Sequence, residues 1–131
     1  MNDIECYPGQ LNQVFMNILN NALQAMPEEK KDGEITIYTE EAENEVVVRI
    51  KDNGIGISDE IKDRIWEPFF TTKEVGVGTG LGMSITYGII EKHGGKIDLY
   101  SEIGKGTEFV ITLPKKIIFT KKATEEIAES N

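Results

Sequence analysis

"DNGIGI", Asp52 to Ile57, stands between an alternating apolar run and a helix start. Asn-Gly favours a tight turn, but a hairpin turn demands a second alternating strand after it. Here Gly-Ile-Gly follows instead, and then Ser58 with Asp59 and Glu60, a helix start carrying acidic residues near its positive end. Two readings stand: a plain turn, or a strand-to-helix loop whose glycine backbone floors a pocket. In the second, Asp52 sits at the strand end facing that pocket, where a carboxylate can accept from an exocyclic amine.

Outward from this stretch the periodicities are clear. Upstream, Glu34 to Glu41 and Glu45 to Lys51 alternate as two strands, with Ala42 to Asn44 as the hairpin turn. Further upstream, Gly9 to Met26 is a helix, with Leu11, Val14, Phe15, Ile18, Leu19, Ala22, Leu23 and Met26 on one stripe before Pro27 stops it. Downstream, a helix runs from Ser58 to about Trp66, and Pro68 to Gly80 has no period and reads as a loop. Leu81 to His93 is helical, with Gly94 as a left-handed cap. Lys96 to Ser101 and Thr107 to Leu113 are strands joined by "EIGKG". Residues 1–114 form one domain, and residues 115–131, where the pattern fades, an extension. Helix, hairpin, helix, loop, helix, hairpin predicts an α/β layer fold with helices on one face of a mixed sheet.

Composition narrows the function. The chain has 131 residues, which suits a single core. With 23 acidic and 14 basic side chains the net charge is -9, which argues against a nucleic-acid binder working through a broad basic face. It leaves room for a small anion site built from backbone amides. The lone Cys6 reads as a buried structural thiol in a reducing compartment. No apolar run reaches ~18 residues and no leader pattern is present, so the chain reads as soluble, and with its lone cysteine as cytoplasmic, whether or not its parent is membrane-anchored.

Two further stretches carry polar groups in telling places. At about 100° per residue, the apolar stripe of the first helix centres near Ala22. Asn20 then points away from it, while Asn21 lies at its edge with Asn17 one turn earlier. Two readings stand here as well: a plain solvated face, or two half-buried carboxamides on one line that need partners and whose oxygens suit a hard cation such as Mg²⁺. The second stretch is "VGVGTGLGMS", Val75 to Ser84, which matches neither a Walker loop nor a dinucleotide fingerprint. It leads straight into a helix, so Gly80 and Gly82 leave backbone N–H groups at a positive helix end where phosphate binds. The preceding glycines read either as a long surface linker or as a lid ordered by its ligand.

Together these stretches resemble the catalytic ATP-binding domain of sensor histidine kinases, a branch of the superfamily that includes gyrase B, Hsp90 and MutL. "NILNNA" resembles the N box, "DNGIGI" the first glycine box and "WEPFFTTK" the F box. "GTGLGMS" resembles the second glycine box, with Met83 where Leu is commoner, and "GKGTEFVITLP" the closing box and last strand. The five motifs stand in family order from about Ile4 to Pro114.

The resemblance implies a Bergerat-type fold: a two-layer α/β sandwich with a mixed, mostly antiparallel sheet and helices on one face, its first strand trimmed here. It implies Asn21 as the principal Mg²⁺ ligand, with Asn17 as a neighbouring ligand or water-mediated contact. Asp52 would accept the adenine amino group, helped by a water and by Thr107. Gly54, Gly56, Ile57 and Leu81 would line the adenine and ribose slot, and Gly78, Thr79, Gly80 and Gly82 would lie along the phosphates. Many relatives carry Lys at the place of Gln24, so the phosphate contact falls to Gln24 or to Lys73.

ATPase branches hold Glu, a general base, four positions before the metal Asn. Here that position is Asn17, which cannot take a proton at neutral pH, so no residue of this chain acts as general base. Bound ATP should then hydrolyse poorly and wait for another nucleophile. That favours a histidine kinase whose acceptor histidine lies on a separate dimerisation domain and whose phosphoryl group passes to a response regulator. The competing readings are a serine kinase or ATPase of the same superfamily, and a nucleotide-binding interaction module. The single histidine, His93 in "EKHGG", reads as structural.

Overall fold

The computed structural model describes residues 6–27, 31–68 and 82–116. The first helix, α1, spans Pro8–Gln24. A hairpin follows: β1 at Ile35–Glu41 and β2 at Glu45–Asp52, closed by a hydrogen bond from Ala42 N to Glu45 O. The segment predicted as one helix to Trp66 is a short α2, Asp59–Lys62, and then a 3-10 turn, Arg64–Trp66. The helix α3 covers Gly82–Lys92, and Gly94 behind it has φ 75° as the cap reading required. A second hairpin, β3 at Lys96–Glu102 and β4 at Gly106–Pro114, completes the chain's regular structure among the described residues.

The sheet order is β1-β2-β4-β3, so pairing of β2 with β4 joins the two hairpins. Every pairing among the described residues is antiparallel, in keeping with the mostly antiparallel sheet expected. Both hairpins are closed by short turns and therefore pair antiparallel, and the long connection through α2 and α3 places β4, not β3, beside β2.

Alternation sorts the sheet into two faces. Val46, Val48 and Ile50 of β2, Phe109, Ile111 and Leu113 of β4, and Ile97 of β3 point inward and are buried. They pack against Leu11, Val14 and Ile18 of α1 and Met83 and Ile90 of α3, forming one continuous core. Trp66 closes its side, 6.2 Å edge-on from Phe109 and 5.6 Å from Tyr87 of α3. The helical stripe predicted for α1 holds through Ala22 but not beyond it: Leu23 is 61% exposed. Cys6 is only part-buried, packed against the core.

At one end of the sheet the inward positions change from apolar to polar. Asp52 ends β2 in phase with Ile50, Thr107 is the second residue of β4 in phase with Phe109, and Ser101 stands near the end of β3 in phase with Ile97. The core thus gives way to hydrogen-bonding groups at a single edge.

Candidate functional site

The register places Asp52 opposite Thr107 across β2 and β4, and Thr107 opposite Ser101 across β4 and β3. The three make one row across three strands. Asp52 is 4% exposed and Thr107 5%, so a carboxylate and a hydroxyl lie at the floor of this edge. Burial pushes the Asp52 carboxyl above the ordinary carboxylate value of 3.8, and hydrogen bonds from the backbones of Gly54 and Thr107 pull partly the other way. The Gly54 N–H donates to Asp52 Oδ1 at 2.9 Å. An aspartate buried against backbone donors costs folding free energy, and such groups concentrate where a ligand uses them.

The loop after Asp52 is a strand-to-helix loop, not a hairpin turn, and it is tied down on three sides. Ile55 N donates to Ala25 O at the end of α1, at 3.0 Å. Gly104 N, in the β3–β4 turn, donates to Ile55 O at 2.9 Å, and Ile57 N donates to Ser101 Oγ at 2.7 Å. Gly56 has φ +79°, and a Cβ there would overlap the Glu102 carbonyl, so this position accepts nothing larger. Gly106 is bound in the same way: φ is +119°, and a Cβ would overlap the backbone oxygen of Asp52. Asn53 is a clamp, not a pocket residue: its Oδ1 accepts from Glu34 N at 2.7 Å and its Nδ2 donates to Asp32 O at 2.9 Å.

A second group forms where α1 meets the start of α3. Asn17 and Asn21 are both half-buried and Asn20 is exposed, as the helical phase required. Asn17 Nδ2 donates to Gly82 O at 3.1 Å and to Thr86 Oγ1 at 3.2 Å. Asn21 Nδ2 lies 2.7 Å from Met83 Sδ. With both amide nitrogens committed to α3, the oxygens are the atoms suited to a cation. Mg²⁺ keeps several waters and takes few protein ligands besides phosphate, so two neutral amide oxygens fit it. Among the described residues no group of three His, Cys, Asp or Glu side chains forms a metal cluster.

Of the residues singled out from sequence, Asp52, Thr107, Gly54, Gly56 and Ile57 come together at the sheet edge, and Asn17, Asn21 and Gly82 at the α1–α3 contact. Gln24, the last residue of α1, is exposed. Lys73, Gly78, Thr79, Gly80 and Leu81, and the loop and lid reading beyond Pro68, lie outside the described residues. Two residues went unmarked: Ser101, and Thr86, which is 0% exposed and bonds Asn17. Both left a signal, a hydroxyl on an otherwise buried phase. Thr86 follows Met83 and precedes Ile90 on the buried stripe of α3.

His93 continues that stripe at 2% exposure. Its Nε2 accepts from Tyr7 N at 3.0 Å and its Nδ1 donates to Ile89 O at 2.9 Å. A ring with one donating and one accepting nitrogen is the neutral imidazole, here pinning the start of α1 to the end of α3.

A family model described as histidine kinase-, DNA gyrase B-, and HSP90-like ATPase matches residues 6–117, and the chain belongs to this family. Sporulation kinase E of Bacillus subtilis (strain 168) is 50% identical over 113 residues, which are 85% of this chain and 14% of that protein. Sensor kinase CckA of Brucella abortus (strain 2308) is 46% identical over 125 residues, 83% of this chain and 13% of that protein. The chain therefore spans a small part of these relatives, which are named sensor or sporulation kinases. Among solved structures, the nucleotide-free catalytic domain of histidine kinase ThkA is similar at a TM-score of 0.74 and 38% identity, over 86% of this chain and 72% of that one. Full-length ShkA in complex with AMPPNP is similar at a TM-score of 0.69 and 27% identity, over 81% of this chain and 21% of that one. Among the described residues no helix is long and apolar enough to cross a membrane.

Proposed function

We propose that this chain binds ATP with Mg²⁺ and presents the γ-phosphate to a histidine on a separate dimerisation domain of the same kinase, the phosphoryl group then passing to a response regulator. The observation that carries this reading is the buried Asp52 carboxylate, held at a strand end by backbone N–H groups and standing opposite Thr107. In this reading Asp52 accepts the adenine amino group, with Thr107 beside it and Gly54, Gly56 and Ile57 shaping the base slot. Asn21 and Asn17 hold Mg²⁺ through their amide oxygens, and Gly82 lies at the helix end nearest the phosphates. Gln24 or Lys73 supplies the remaining phosphate contact.

Held by Asn21 and Asn17, Mg²⁺ would supply positive charge to offset that of the phosphates. The chain's own contribution is to orient the nucleotide and to offer no base for water. Asn17 supports the second point, since its amide is committed to Gly82 and Thr86 and carries no ionisable proton at neutral pH. The fragment works in the cytoplasm, as a monomer until it meets its histidine-bearing partner. ShkA, a similar protein, has been captured with AMPPNP, which supports a nucleotide at the corresponding place.

The test mixes this chain with γ-labelled ATP, Mg²⁺ and the histidine-bearing dimerisation domain. Acid-labile label on the added domain, with little free phosphate, is the expected result. Label released mainly as phosphate would favour an ATPase. Tight binding with neither transfer nor release would favour an interaction module.

A further inference from the structure

Ser101 belongs to none of the residues singled out for the site, yet its Oγ touches three of the site's groups. It accepts from Ile57 N at 2.7 Å, lies 2.9 Å from Gly106 O, and lies 2.8 Å from Thr107 Oγ1. A serine hydroxyl has one proton and two lone pairs. Ile57 N–H takes one lone pair. A carbonyl can only accept, so the Ser101 proton satisfies Gly106 O. The one remaining lone pair faces Thr107 Oγ1, and it can only receive the Thr107 proton.

The consequence falls on Thr107. With its proton turned toward β3, its lone pairs are left for the other side of the row, where Asp52 stands opposite it. Asp52 as a carboxylate is acceptor-only. The edge then presents two acceptors side by side and calls for a group that donates twice, such as a primary amine on a heteroaromatic ring or a water bound beside one. A ring carbonyl at the same place meets lone pairs alone.

We propose that Ser101 is a positioning residue for base selection: by holding the Thr107 proton it makes Thr107 an acceptor, so that the row takes the amino group of adenine and rejects the carbonyl of guanine. This rests on the reading that the row meets the purine. Ser101 is half-buried in β3 and acts through Thr107 and through Ile57, whose N–H it fixes.

The experiment titrates ADP and GDP into the wild type, Ser101→Ala, Ser101→Thr and Thr107→Val, with melting temperatures taken in parallel without nucleotide. Ser101→Ala frees the Thr107 proton to turn and donate, so the ADP-over-GDP preference is expected to fall about tenfold, the scale of one hydrogen bond with its polarity inverted. Ser101→Thr keeps the hydroxyl and is expected to restore the preference. Thr107→Val, which leaves Ser101 in place, is expected to lose it as Ser101→Ala does, and it decides the matter if Ser101→Ala does not fold. A lowered melting temperature with the preference intact in Ser101→Ala, or an intact preference in Thr107→Val, overturns the proposal while leaving nucleotide binding standing. Wild type that binds neither nucleotide overturns the purine reading itself.

Discussion

Asp52 and Thr107 face each other across β2 and β4, both almost fully buried, at the one edge of the sheet where inward positions stop being apolar. A designer of a stable core would place valine and leucine there. The pair instead keeps a carboxylate out of water, which lowers stability and gives a ligand something specific to meet.

The first prediction concerns that carboxylate. Asp52→Asn keeps an oxygen for the Gly54 N–H but replaces the second acceptor with a donor. A charge-assisted bond lost, with a mismatched buried partner left behind, is worth roughly 2–4 kcal/mol, about 30- to 1000-fold in ATP affinity. The melting temperature without nucleotide should stay level or rise, because a desolvated charge has been removed. Calorimetric titration and thermal melting separate the two effects; unchanged affinity in the folded variant would place the adenine elsewhere.

The second follows from the direction of the Asp52 shift. Burial raises its folded value above 3.8. A raised folded value means that this group's favourable contribution is full below the unfolded value and is lost as pH rises through the folded one. Nucleotide-free protein should therefore gain from Asp52→Asn most at neutral pH, with the gain shrinking as pH falls toward 3.8. ATP binding runs the other way, since it needs the carboxylate: wild-type affinity should weaken on acidification before an ordinary aspartate would titrate. Chemical denaturation and titration over a pH series, each with Asp52→Asn as reference, check both signs.

The third prediction separates neighbours on α1. Asn21→Ala should lose the Mg²⁺-dependent part of ATP affinity, at least about tenfold or about 1.4 kcal/mol, while keeping much of the Mg²⁺-free ADP binding. Asn20→Ala should change little, because Asn20 is exposed on the far side of the helix. Titrations with and without Mg²⁺ read this directly, and greater damage in the Asn20 variant would contradict the assignment.

The fourth is a stability prediction away from the site. His93→Ala removes a buried ring and strands the Tyr7 N–H, while the Ile89 carbonyl loses the ring donor and keeps the backbone N–H of residue 93. Loss of packing and of two hydrogen bonds should cost about 3 kcal/mol or more. Urea unfolding measures it; ATP affinity of the remaining folded protein should be unchanged, as a structural histidine requires.

Much of this arrangement is legible in the residues. Helical phase alone puts Asn21 and Asn17 half-buried and Asn20 outside, because the apolar stripe from Leu11 to Ala22 is long and regular. The glycine loop after Asp52 is legible because no strand follows Asn53-Gly54. The short segment after Ser58 was less so: four helical residues give way to a 3-10 turn once Trp66 anchors on Phe109 and Tyr87, a tertiary contact that no local pattern shows. The strand order, with β4 between β2 and β3, is decided by long-range packing. Ser101 and Thr86 escaped because a lone hydroxyl on a buried phase looks like an ordinary small residue until its partners are known.

The most direct test of the central claim is calorimetric titration of ATP with Mg²⁺ into this chain, run beside a phosphate-release assay on the same sample. The account predicts saturable binding at one site with micromolar-type strength and almost no phosphate released. Turnover comparable to a dedicated ATPase would contradict the assignment of Asn17 as a position without a base, and no heat of binding would contradict the nucleotide site as a whole.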